Sequence, residues 1–547
     1  MKVWKIVLIR CAQPMLYGAE TKSLYSPNRT LTPEPTLAQL QGIIQDFSKS
    51  TDIPFEVVQL DLRDPVNGTV SEVQYGILAL TYLDEPLRKV YSGIFIDDVT
   101  NILDSADVIG FTNNFAMSRK VVADHIAKAR ALWPDTEIWI GGRDVFTKRV
   151  EQVYTNAADN RNTVVFRGHV YDSLPAYLSW RIRGVGEPFG VSVFDDQGRE
   201  TRVEERSLLP EVISGVRNFP LPRYICPESL DHFIGSGEGQ PSSPFGRFVH
   251  MSITIGCPHA CGYCTTGCRE RYLVWKDMVT LESELEMYKR MGVQTIAIMD
   301  DNLLDLINHL GVEGFVRIME RVNSYGFRLE YGNGLQLSLL SKYWDQIKEP
   351  VFDRCESLYA PLEDLTRDRL YDKLDDTLTQ LGLMQLIASE APDRLKYVTM
   401  GVIVGVPLHT KEALQTTFLE NVARFLSVFR NSRLEVGMTV FNFMPLPGTK
   451  FGEQALDSGR MVVADPIAED PEVCSFGTTS YAPPGMTHKE VFRAYISALN
   501  LNPAGKKLGV DYVTLQRLGA RALPEGERHR IPEHWKTPGY HLRARVE

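Results

Sequence analysis

Basic excess is missing from this 547-residue chain. Its formal charge is −10, and no Lys/Arg-rich tail or stripe offsets it, which argues against non-specific nucleic-acid binding. Nor does any run of about 18 apolar residues occur, so no stretch reads as a membrane-spanning helix. The first ten residues (Met-Lys-Val-Trp-Lys-Ile-Val-Leu-Ile-Arg) are too short and too charged for a signal peptide, and read as a first strand. Cysteine is scarce. The eight present are Cys11, Cys226, Cys257, Cys261, Cys264, Cys268, Cys355 and Cys474, too sparse for a disulfide framework, so a reducing cytoplasmic setting is expected. Low-complexity tracts are absent as well, and the length predicts about two to four ordinary globular domains.

Against that scarcity, one cluster stands out. Ile255-Gly256-Cys257-Pro258-His259-Ala260-Cys261-Gly262-Tyr263-Cys264 follows an apolar alternating run (248–255) that reads as a buried strand. Thiolates at C-x3-C-x2-C spacing in a tight reduced loop suit a soft metal centre, most often an iron–sulfur cluster. A [4Fe–4S] cluster takes four ligands, so three cysteines leave one iron open. Spacing alone leaves two alternatives: Cys268 closes the set as a four-thiolate electron-transfer centre, or zinc binds with a further ligand.

Residues 1–205 alternate short apolar β-rich runs with helical patterns. The runs lie at 3–9, 55–62, 107–112, 137–142 and 163–168, and 118–132 has helical periodicity. This predicts a Rossmann-like, doubly wound parallel sheet whose ligands sit at the carboxyl ends of the strands. Gly110, Gly141, Gly142 and Gly168 lie in or at the ends of those strands, where they serve either a tight turn or close approach by a bulky ligand. No G-x-G-x-x-G follows the first strand, where Arg10-Cys11-Ala12-Gln13-Pro14 stands, which disfavours a nicotinamide or flavin site.

Pro-, Gly- and Ser-rich residues 206–245 read as a linker. From 246 to 455, six strand candidates alternate with helices and predict a partial (β/α)6 barrel with its site at the carboxyl ends of the strands. Those ends carry Asp300-Asp301-Asn302, Gly332-Asn333-Gly334, Pro361-Leu362-Glu363 and Gly401-Val402-Ile403-Val404-Gly405. Adjacent Asp300 and Asp301 suit three roles: orienting substrate, taking a proton or capping the next helix. Side chains alternate along a strand, so only one should point inward. Residues 456–547 predict a small, mostly helical C-terminal domain, with helices at 489–499 and 512–518 and an aromatic, Pro-rich lid at 475–486.

With the cysteine loop first and these strand ends after it, residues 246–455 resemble the radical S-adenosylmethionine superfamily. The resemblance implies that Cys257, Cys261 and Cys264 hold a [4Fe–4S] cluster whose fourth iron takes the amino and carboxylate groups of S-adenosylmethionine. By the same resemblance Tyr263 lies near the adenine, Glu363 holds the ribose hydroxyls, and Gly401 and Gly405 let backbone approach the adenine. Residues 1–205 resemble a cobalamin-binding domain, on the order of the runs from 106 to 174, and there Gly110, Gly141, Gly142 and Gly168 would approach the corrin. The D-x-H-x-x-G signature of a cobalt-ligating histidine is missing, and His125, directly after Asp124 in a helical stretch, reads as a solvated residue.

The implied activity is methyl transfer from S-adenosylmethionine through methylcobalamin to a carbon of a small-molecule or peptide substrate. An external donor of flavodoxin or ferredoxin type would supply electrons. A radical cyclisation or rearrangement, and a polar methylation without an adenosyl radical, fit the same motifs.

Overall fold

The computed structural model describes residues 2–11, 13–18, 23–25, 35–62, 69–78, 87–93, 96–114, 116–145, 147–156, 160–167, 169–203, 214–217, 219–224, 247–266, 271–366, 377–461 and 479–501. Five of the apolar runs form a parallel sheet: Trp4–Arg10, Phe55–Asp61, Val108–Thr112, Glu137–Gly141 and Thr163–Phe166. In chain order the strands lie 2-1-3-4-5 across the sheet, a doubly wound order whose direction reverses between Trp4–Arg10 and Val108–Thr112. Val191–Phe194 and Glu200–Val203 extend one edge antiparallel.

Period-two alternation divides this sheet into two cores. Val7, Ile9, Ile109, Phe111, Ile138 and Ile140 face the helices Arg119–Leu132 and Lys148–Asn156. Ile6, Leu8, Val108 and Trp139 face Pro35–Thr51 and Val170–Arg183. His125 joins the first core, contrary to its expected exposure. Position 125 falls on the same helical stripe as Val121, Val122 and Ala129, its Nδ1 lies 2.8 Å from the Val121 carbonyl, and burial pushes its pKa below the usual value.

The sequence did not suggest a second sheet, yet an antiparallel one rises from the carboxyl ends of the first two strands. Its order is Ser23–Tyr25, Gln13–Gly18, Leu87–Gly93, Thr69–Leu78.

A buried polar knot ties the loops after the third and fourth parallel strands. The Asp144 carboxylate accepts from Arg119 Nε (2.8 Å) and Nη2 (2.6 Å), from the Tyr154 hydroxyl (2.7 Å) and from Asn113 Nδ2 (3.2 Å).

The second unit is built on six parallel strands: Phe248–Met251, Thr295–Ile298, Arg328–Tyr331, Ser357–Glu363, Tyr397–Val404 and Glu435–Asn442. They form two three-stranded sheets joined by a parallel bridge between Leu329 and Cys355, and helices cover the outer face. This is the expected partial barrel. The apolar run at 248–255 does not form one strand, however. Residues 248–251 join the barrel, whereas Thr254–Ile255 turns away to pair with Leu273–Lys276, which also carries Ser214–Arg217.

The described part of the linker lies along both units. Arg223 N–H donates to the Ala38 carbonyl (2.8 Å), Gln39 donates to the Pro220 carbonyl (2.7 Å), and Arg217 pairs with Asp172. Helix His488–Leu501 packs on strand Glu435–Asn442 and helix Phe418–Val428. Of the expected lid, 479–486 is described. It packs beside the sixth strand, with Thr479 donating to Asn442 (2.9 Å) and Tyr481 against Phe443. Residues 475–478 and the expected helix at 512–518 lie outside the described residues. Among the described residues, no helix is long and apolar enough to cross a membrane.

Removing one partner from a buried ion pair strands the other charge, at about 3–5 kcal/mol. Asp144→Ala, which leaves Arg119 buried without its carboxylate, should therefore lower the first unit's unfolding free energy by that amount and move its chemical-unfolding midpoint to lower denaturant. An unshifted midpoint would show that the knot contributes nothing.

Candidate functional site

The cysteine loop begins soon after the chain leaves the first barrel strand, and four anchors fix it. Gly256 has φ 90°, and a Cβ there would run into the carbonyl and ring of Tyr272, so only glycine fits the turn. Asp300, at the end of the second strand, is buried and accepts from Ile253 N–H, Thr254 N–H and Thr254 Oγ1, all at 2.8 Å. Burial pushes its carboxyl up to about 7, against the pull of these three bonds and of nearby Lys276. Farther along, His259 meets Gln336 (3.2 Å), which also accepts from Asn302 (2.9 Å). The Phe451 N–H donates to the Gly262 carbonyl at 2.8 Å, and the Phe451 ring covers the face of Gly262.

Cys257, Cys261 and Cys264 are in no disulfide. Cys261 is buried and the other two are half-buried. Among the described residues, no group of three His, Cys, Asp or Glu side chains could hold a single metal ion, these thiols included. A cubane makes a different demand, one thiolate on each of three irons, and the donor set fits it. Cys268 lies outside the described residues.

Tyr263 and Glu363 come together. The Tyr263 phenol is hydrogen-bonded to the Glu363 carboxylate, and burial with that carboxylate pushes its pKa well above the usual value, so it stays a donor. Glu363 is buried at the end of the fourth strand with φ 65°, a left-handed conformation that costs a non-glycine residue about 1–3 kcal/mol. The pairing register with the fifth strand slips between Pro361 and Glu363, which re-aims the side chain.

The two glycines of the fifth strand have protein neighbours of their own. A Cβ on Gly401 would strike the Tyr359 hydroxyl, and one on Gly405 (φ 84°) would lie 2.8 Å from Val491 Cγ1. Packing within the protein therefore accounts for both.

On the sheet side, Gly110 lies inside the third strand, 3.0 Å from Leu8 Cδ2 by its missing Cβ. Gly142 (φ 112°) lies against the backbone of Asn113. A Cβ on Gly141 would find only ordinary contacts with Phe166, so no protein neighbour demands glycine there. Gly168 lies outside the described residues.

Asp301 does not share the environment of Asp300. It meets Arg143, which directly follows Gly142, at 3.4 Å, and this pair bridges the sheet's carboxyl edge and the barrel mouth. Arg143 is half-exposed, and Asp301 first and Cys264 next raise its pKa.

Sequence reasoning missed Arg143, Gln336 and a buried pair behind Glu363, Asp364 and His409. The signal for Arg143 was its place one residue past a glycine pair at a strand end. Nothing local marked Gln336, and a lone histidine four residues after Gly405 gave no hint of its partner.

Removing the Asp300 carboxylate leaves three donors unsatisfied, at about 1–3 kcal/mol each. Asp300→Ala should fold yet lose most of the iron bound by reconstituted wild type, measured per chain. Full iron retention would show that the clamp is dispensable.

No protein-family model matches the chain, and no curated protein matches it. Solved structures do. The radical S-adenosylmethionine methyltransferase TsrM from Kitasatospora setae, with cobalamin and a [4Fe-4S] cluster bound, aligns at 12% identity and a TM-score of 0.58 over 92% of this chain and 90% of that one. TsrM with tryptophan substrate and the analogue aza-SAM aligns at 13% identity and 0.60, over 95% of each chain. The cobalamin-dependent S-adenosylmethionine radical enzyme OxsB aligns at 10% and 0.57, over 90% of this chain and 66% of that one. Over at least 90% of its length, this chain therefore has the fold of these radical S-adenosylmethionine enzymes.

Proposed function

We propose that this chain is a cobalamin-dependent radical S-adenosylmethionine methyltransferase acting on a small molecule. One observation carries the reading: the Arg143–Asp301 contact brings the carboxyl edge of the doubly wound sheet to the barrel mouth, beside the cysteine loop. Ligands of doubly wound sheets and of barrels sit at such ends, so a corrin and a cluster would face each other.

In this reading Cys257, Cys261 and Cys264 hold a [4Fe–4S] cluster and leave one iron for S-adenosylmethionine. Glu363 offers two acceptor oxygens, which suit the ribose diol, and the Tyr263 phenol holds that carboxylate in place. Gly141 gives the corrin a close approach to the sheet, with Gly110 and Gly142 shaping the same edge. The adenine would meet the backbone of the fifth strand near Gly401 and Gly405, whose missing side chains make room for Tyr359 and Val491. Asp300 acts through the cysteine loop, and Asp301 lines the cleft where the methyl acceptor would lie. When bound, the cluster supplies an electron to S-adenosylmethionine and the corrin carries the methyl group. The chain's own part is placement and the exclusion of water. An external flavodoxin- or ferredoxin-type donor supplies the electron. The tryptophan held by TsrM supports a small-molecule acceptor rather than a peptide.

Protein produced with ample cobalamin should show corrin absorbance. Reconstituted anaerobically with iron and sulfide and given S-adenosylmethionine and reductant, it should form S-adenosylhomocysteine and 5′-deoxyadenosine, and Cys261→Ala should abolish the deoxyadenosine. Corrin-free protein, or reconstituted protein that forms neither product, would overturn the reading. S-adenosylhomocysteine alone would point to polar methylation, and deoxyadenosine alone to a rearrangement.

A further inference from the structure

Behind Glu363 lies a pair of ionisable side chains with no solvent exposure to speak of. His409 and Asp364 have side-chain exposures of 0% and 1%, and His409 Nε2 lies 3.1 Å from Asp364 Oδ1. The other ring nitrogen, Nδ1, accepts from the Gly405 N–H at 3.1 Å. A nitrogen that accepts carries no proton, so in this arrangement the ring hydrogen belongs to Nε2, the nitrogen that lies against Asp364 without a well-aligned hydrogen bond to it. Asp364 Oδ1 also accepts from Thr366 N–H (2.7 Å) and Thr366 Oγ1 (2.6 Å). His409 with the Thr366 bonds holds the Asp364 carboxyl below its usual value even though burial pushes the other way.

The two ends of this chain of bonds matter. Asp364 is covalently next to Glu363, whose left-handed backbone is strained and needs its surroundings to hold it. Gly405 ends the fifth strand with φ 84°, in a turn closed by the His409 N–H on the Val406 carbonyl at 2.9 Å. One imidazole thus fixes the ends of the fourth and fifth barrel strands relative to each other. Those ends are where the proposed ribose-holding carboxylate and the strand-end turn beside the proposed adenine site lie.

We propose that Asp364 and His409 are positioning residues for S-adenosylmethionine: they touch no substrate themselves but set the Glu363 carboxylate and the Gly405 turn at the spacing the nucleoside requires. This rests on the reading of the site given under Proposed function. Losing a hydrogen bond to a charged group weakens an equilibrium by about tenfold or more.

The test uses full-length reconstituted protein and measures three quantities: iron per chain, corrin uptake, and the dissociation constant for S-adenosylmethionine, followed by its perturbation of the reduced cluster's electron paramagnetic resonance signal. His409→Leu removes both the Gly405 hydrogen bond and the close contact with Asp364. His409→Asn retains an acceptor for Gly405, and His409→Gln retains a donor for Asp364. His409→Leu should raise the dissociation constant about tenfold or more, with iron and corrin at wild-type levels. The two amide variants, which keep half of the linkage each, should fall between it and wild type and serve if the leucine variant folds poorly. Wild-type affinity in His409→Leu, or in both amide variants, would overturn the inference. So would a parallel loss of iron, corrin and S-adenosylmethionine binding in all three, since that marks a purely structural pair. If wild-type protein with a complete cluster bound no S-adenosylmethionine, the reading of the site would fall first and this inference with it.

Discussion

A small apolar seam holds two carboxyl edges together, and the site depends on it. Tyr171 from the doubly wound unit packs on Phe219 from the linker, and Phe219 clusters with Ile255, Tyr272 and Val274 beside the cysteine loop. Burying a large apolar side chain contributes about 1.5–3 kcal/mol, so these contacts outweigh any exposed ion pair at the same boundary. Tyr272 also walls the Gly256 turn, and the His169 ring meets its edge at 5.6 Å. The residue that sets the loop's first turn thus also touches the segment after the fifth parallel strand. Separation of the two units would therefore disturb the cysteine loop directly.

Around that seam the acids at the barrel mouth are committed to different tasks. Asp300 serves backbone donors, Asp364 serves Thr366 and His409, and Glu363 meets Tyr263. Each bond offsets the cost of burying a carboxylate. Asp301 instead reaches across to Arg143 from the other unit. Two carboxylates adjacent in sequence thus do unlike work, one held by donors of its own unit and the other by a guanidinium of the first unit.

Much of this was legible in the residues. Short apolar runs such as 108–112 and 138–140, recurring between helical patterns, fit a covered parallel sheet, and the strand-end cysteines gave the chemistry a position. Other features were hidden. The strands Gln13–Gly18 and Thr69–Leu78 mix polar and apolar residues without a clear period, so the antiparallel sheet was not read. The break at residues 252–253 depends on Asp300, some 47 positions away, which no local pattern reveals. His125 reads as polar and exposed until its helix is set on the sheet, where its stripe turns inward. A positive φ is signalled by glycine but not by glutamate, so the strain at Glu363 left no trace in the sequence. The Asp364–His409 pair spans 45 positions and is visible only once the fourth and fifth strands lie side by side.

The proposed sites put a corrin on the sheet edge and a cluster in the cysteine loop within one shared cleft. Electron paramagnetic resonance of protein holding both cob(II)alamin and the reduced cluster tests this directly, because two nearby unpaired spins broaden or split each other's signals. The account predicts such mutual broadening, absent in protein loaded with either group alone. A spectrum that is the plain sum of the two separate signals would contradict it.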